Sequence, residues 1–112
     1  MLEVFIGSGL GGVIRYYFGL LSTKVFSSSW QGTLFVNVIG SLLIMLTFQK
    51  LHAIDNRLSK IFIIGFLGGF TTFSSMSLDI LKAIDQGQIY LAAIILTLNI
   101  LLGVIMGILI FR

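Results

Sequence analysis

The chain has 112 residues, 57% of them hydrophobic and only 10% charged, with a mean hydropathy of +1.10. That balance is too apolar for a soluble domain and marks an integral membrane protein. The net charge of +3 comes from seven scattered basic residues rather than a clustered patch, so no nucleic acid is expected as a partner, and the absence of cysteine excludes disulfides and thiol metal sites.

Four apolar stretches, 4–21, 33–48, 61–81 and 89–111, are separated by short polar segments. The expected fold is all-α: a single membrane domain over 1–112 with four transmembrane helices. The first stretch lacks a basic leader, carries Arg15 and is followed by no small-residue cleavage site, so it reads as a retained helix rather than a signal peptide. Gly7, Gly11, Arg15 and Gly19 recur every four residues along it and form a stripe that lets another backbone approach closely. Arg15 is costly inside a helix, but it lies about 9 Å along the axis from Leu21 and can snorkel toward that end. Two roles are open for it, drawing an anion into a vestibule and capping backbone carbonyls.

In the second stretch Thr33, Asn37, Gly40 and Ser41 fall on one helical face, preceded by Trp30 as an interface anchor. A carboxamide at Asn37 needs partners at that depth. It serves either as interhelical glue or as an N–H donor toward an anion. Basic residues then report topology. Lys50, Arg57, Lys60 and Arg112 lie on one side and Lys24 and Lys82 on the other, a small bias that places both termini in the cytoplasm and permits insertion in both orientations.

The third stretch holds three glycines and five hydroxyls between Gly65 and Ser77. A run of about 1.5 Å per residue from 61 to 81 matches a hydrocarbon core of about 30 Å, so this polar run sits at the midplane. Irregular backbone survives there only where it is buried in protein or lines a cavity, so the segment reads as a broken helix that binds or conducts something small. Asp79 is placed to pair with Lys82 one turn on, near the interface. The fourth stretch carries Asn99, Gly103 and Gly107 as a further small-residue seam. With one histidine, no cysteine and no carboxylate pair in the apolar stretches, neither a catalytic constellation nor a transition-metal site is visible, and the chain is not expected to be an enzyme.

Gly32-Thr33-Leu34-Phe35-Val36-Asn37-Val38-Ile39-Gly40-Ser41 and Gly65-Phe66-Leu67-Gly68-Gly69-Phe70-Thr71-Thr72-Phe73-Ser74-Ser75 resemble the two signature stretches of the CrcB or Fluc family of bacterial fluoride channels. Gly11-Gly12-Val13-Ile14-Arg15-Tyr16 resembles its first-helix motif. The resemblance implies a multi-pass protein of the cell membrane that lets fluoride leak out passively, built as a dual-topology antiparallel dimer with two pores. It also implies a structural sodium ion at the dimer centre, held by backbone carbonyls of Gly68 and Thr71 from both subunits. The family's pore residues map onto Asn37, Phe73, Thr33 and Ser75, and Arg15 is counted with the fluoride pathway while both of its roles stay open. A phenylalanine serves there through its ring edge, which carries partial positive charge.

Two departures bear on the partner. Met76 stands where the family repeats a phenylalanine, placing a thioether at the second aromatic station of the pathway, and Leu91 and Ile95 stand where polar or aromatic residues are usual. Such thinning is found in family members encoded as pairs, so the expected partner is a second copy or a paralogous subunit, within a lipid bilayer. The rival reading of a small multidrug exporter lacks the mid-membrane carboxylate that such a transporter needs. A non-conducting scaffold subunit leaves the broken helix unexplained unless a conducting partner supplies the function.

Overall fold

In hydrocarbon a helix satisfies its own backbone groups, and these long apolar segments have no other local solution. The computed structural model describes residues 1–51 and 60–111, and they are helical over nearly all that length. His52, Arg57 and Arg112 lie outside the described residues. Helix α1 is Leu2–Phe26 and α2 is Trp30–Leu51. Helix α3 is π-helical over Lys60–Leu67 and α-helical over Gly68–Phe70, α4 is Phe73–Asp85 and α5 is Ile89–Phe111. By length and hydropathy, four segments can cross a membrane, with Ile61–Asp85 supplied by α3 and α4 together.

The helices outrun the apolar stretches because polar residues at their ends find local partners. Thr23 Oγ1 donates to the Gly19 carbonyl at 3.1 Å, and Ser22 Oγ donates to the Ser28 carbonyl at 2.8 Å while accepting from Gly32 N–H at 2.9 Å. These bonds carry α1 to Phe26, where Ser27 turns it off in the left-handed region at φ 61°. Gly87, at φ 76°, makes the α4–α5 turn in a conformation strained for a side chain.

Glycine sets the packing of α1 on α3. A Cβ built at Gly7 would lie 3.0 Å from the Gly65 Cα and 2.9 Å from Phe66 N, and one at Gly11 would run into the Phe66 backbone. Gly19 meets nothing within 4 Å, so the stripe stops short of it. On the opposite side of the bundle, Gly103 of α5 faces Ser41 and Gly107 faces Met45. Phe62, Phe66 and Phe70 stack along α3 at centroid separations of 5.7 and 5.6 Å.

Helices α4 and α5 close around Met76, Ala83, Ala92 and Ile95, with Trp30, Ile80 and Leu91 packed against that cluster. Trp30, at the start of α2, is partly buried by this packing. Between α3 and α4 the helix is interrupted. Thr71 (φ −83°, ψ 157°) and Thr72 (φ −152°, ψ 120°) are both extended, as the glycine and hydroxyl run predicts.

Candidate functional site

A helix break at membrane depth leaves carbonyls behind it and N–H groups ahead of it, and each needs a partner. The Leu67 carbonyl accepts from Thr71 N at 3.1 Å and from Thr71 Oγ1 at 3.0 Å. The Gly69 carbonyl accepts from Arg15 Nε at 3.0 Å, a cation at the negative end of α3. Ahead of the break, Thr72 Oγ1 accepts from Ser75 N at 3.1 Å and caps α4.

The Thr72 peptide groups are held by Asn37. Thr72 N donates to Asn37 Oδ1 at 2.7 Å, and Asn37 Nδ2 donates back to the Thr72 carbonyl at 3.0 Å. The second hydrogen on Nδ2 goes to Asn99 Oδ1 at 2.8 Å, and Asn99 Nδ2 donates to the Ile95 carbonyl at 2.8 Å. One amide chain thus ties α2 and α5 to the break. It also takes the Thr72 N–H that a continuous helix would give to Gly68, leaving the Gly68 carbonyl without its helical donor.

Two cavities meet at Thr72. The first, of about 260 Å³, is lined by Arg15, Thr33, Thr72, Ser75, Asp79 and Lys82. The second, of about 420 Å³ and more open, is lined by Asn37, Gly68, Thr71, Phe73, Met76 and Asn99, with Thr72 again in its wall. Hydroxyls, two amides, two cations and the Asp79 carboxylate therefore stand in the walls of these two cavities. Asp79 is 7% exposed, and its Oδ1 accepts from Ser29 Oγ at 2.8 Å while Oδ2 has no partner. Among the described residues it makes no ion pair with Lys82, contrary to the i, i+3 expectation. The reason is tertiary: the connection between α1 and α2 brings Ser29 over α4.

A family model described as CrcB-like protein, Camphor Resistance (CrcB), matches residues 2–111. The chain belongs to the CrcB family. It is 37% identical over 120 residues to a protein of Coxiella burnetii named "Fluoride-specific ion channel FluC", covering 100% of this chain and 97% of the relative. A "Fluoride-specific ion channel FluC 1" of Yersinia pseudotuberculosis is 38% identical, with 89% of this chain and 81% of the relative covered. A FluC protein of Rhizobium johnstonii is 40% identical, with coverage of 80% and 79%. This CrcB chain, with its four spanning segments, is a multi-pass membrane protein.

The residues singled out from the CrcB motifs divide between the two cavities. Arg15, Thr33 and Ser75 line the first, and Asn37, Phe73, Met76, Gly68 and Thr71 the second. Thr33 and Asn37 share a face of α2 yet open on different spaces, because Thr72 wedges between them. Phe73 is 78% exposed, whereas Met76 is 6% exposed and belongs to the buried cluster with Ile95. Arg15 caps the Gly69 carbonyl and also lines the first cavity. Sequence reasoning did not single out Thr72, Asp79 or Lys82 for the site. Thr72 had a signal, a hydroxyl just ahead of a helical run, which is the pattern of an N-cap. Asp79 had none, its partner Ser29 being remote in sequence.

Proposed function

We propose that this chain is a fluoride channel subunit that lets fluoride leave the cytoplasm passively, along a path from the first cavity past Thr72 into the second. The observation that carries the reading is the meeting of two hydroxyl- and amide-lined cavities at an extended Thr72. The relatives named as fluoride-specific channels, at 37–40% identity, supply the ion.

Fluoride is small and strongly hydrated, so a pathway must replace its water with close donors. Arg15 and Lys82 outnumber the Asp79 carboxylate in the first cavity and raise the local anion concentration there, where the Thr33 and Ser75 side chains also lie. Beyond Thr72, Asn37 carries an amide whose two hydrogens are held by the Thr72 carbonyl and Asn99, and Phe73 presents a ring edge. The exposed Phe73 ring and the open second cavity suit a partner subunit that covers them, and an antiparallel second copy or a paralogue is the proposed occupant. The residues also fit the family's sodium ion. The Gly68 carbonyl has lost its helical donor, the extended Thr71 carries its carbonyl out of the helical ladder, and a Cβ at Gly68 would meet nothing within 4 Å. Bound there, sodium would supply positive charge to the negative end of α3.

The burial of Met76 in one cluster with Ile95 favours a second form of the same reading, in which the chain conducts best beside a paralogue. An apolar pair replaces an aromatic and a polar station at one place. Expression in a bacterium deleted for its own fluoride channels tests both forms. Restored growth on fluoride by the chain alone, or only with its paralogue, distinguishes them; no rescue in either setting rejects the proposal.

A further inference from the structure

The orientation of the Asn37 amide follows from the backbone around it. Thr72 N–H can meet only an acceptor, so Oδ1 faces it and Nδ2 faces the Thr72 carbonyl. At the other end the Ile95 carbonyl can meet only a donor, so Asn99 presents Nδ2 to it and Oδ1 to Asn37. Both hydrogens of Asn37 Nδ2 are therefore committed. An anion entering the second cavity gains one only by displacing an acceptor.

The two acceptors are not equivalent. The Thr72 carbonyl belongs to the residue whose own N–H is held by the same amide, so displacing it loosens the two-bond clamp on the break. The Asn99 carbonyl oxygen is on a half-buried side chain that lines the same cavity and can rotate away. We propose that Asn99 is a displaceable acceptor that competes with fluoride for one Asn37 hydrogen. It keeps that donor satisfied when no ion is present and weakens fluoride binding when one is. Weak binding serves conduction, because an ion held too well does not leave. The inference rests on the proposal that Asn37 lies in the fluoride pathway.

The test is a titration of the purified full-length protein with sodium fluoride, against sodium chloride at matched ionic strength, following the Asn37 side-chain amide resonances by ¹⁵N–¹H NMR. Asn99→Ala removes the competitor and should lower the half-saturating fluoride concentration about fivefold, the worth of one neutral hydrogen bond. Asn99→Asp keeps an acceptor at the same reach and should raise it, as its charge alone would, so the alanine variant decides. A purely structural role for Asn99 would instead weaken binding in both. If Asn99→Ala does not fold, Asn99→Val fills the space without an acceptor and carries the same expectation. Asn37 resonances that respond with equal or weaker affinity in the alanine or valine variant overturn the competition. Asn37 resonances that ignore fluoride in every variant remove Asn37 from the pathway, and the inference falls with that reading.

Discussion

Asn37 and Thr72 are joined twice, side chain to backbone, through bonds of 2.7 and 3.0 Å that mimic the pairing of two strands. The amide stands in for the helical partners that Thr72 gave up by becoming extended. Fold and function therefore meet in one side chain.

Asn37→Leu strands the Thr72 N–H, the Thr72 carbonyl and the Asn99 oxygen. Each costs roughly 1 kcal/mol or more when left unpaired. The variant should show a lower midpoint in thermal aggregation in detergent, and fluoride efflux at the rate of protein-free liposomes. Native stability would mean that the break does not depend on this clamp.

Arg15→Met keeps most of the side-chain volume and removes the charge beside the first cavity. Fluoride influx measured at low ionic strength should fall about tenfold, and the gap from the native protein should narrow as salt rises. Arg15→Lys should keep most of the attraction. A deficit independent of salt would assign Arg15 to the Gly69 cap alone.

The glycine seam predicts a sharp contrast between neighbours. Gly11→Ala drives a methyl into the Phe66 backbone and should cost about 1–3 kcal/mol or prevent folding. Gly9→Ala meets nothing within 4 Å and should purify at the native yield. Yield and monodispersity on size exclusion read both.

Phe73 and Met76 separate by burial. Phe73→Ile touches an exposed ring, so it should leave folding unchanged and lower fluoride flux about two- to tenfold through loss of the ring edge. Met76→Phe overfills the buried cluster that also holds Ile95 and should cost about 1–3 kcal/mol. Adding Ile95→Ala should return part of that cost, a coupling of about 1 kcal/mol in a double-mutant cycle. Additive effects would mean that the two side chains do not share the space.

What was legible beforehand follows from local chemistry. Four helices, the break at Thr71 and Thr72, and the Gly7 and Gly11 seam all rest on hydropathy, glycine and hydroxyl spacing within one segment. What was not legible rests on contacts between segments. Asp79 faces Ser29 because the α1–α2 connection crosses α4, and Thr33 parts from Asn37 because Thr72 stands between their cavities. The π winding of Lys60–Leu67 left no trace in the periodicity, since an Ile- and Phe-rich segment is apolar on every face. Spacing alone placed Asn37 correctly as a group in need of partners and left open which partners it takes.

The most direct test of the channel reading is fluoride efflux from liposomes reconstituted with the purified chain, alone and with its paralogue, recorded with a fluoride-selective electrode and repeated for chloride. Efflux of fluoride well above protein-free liposomes, with chloride retained and the fluoride current lost in Asn37→Leu, is the predicted result. Retention of fluoride in both reconstitutions, or equal release of chloride, would contradict it.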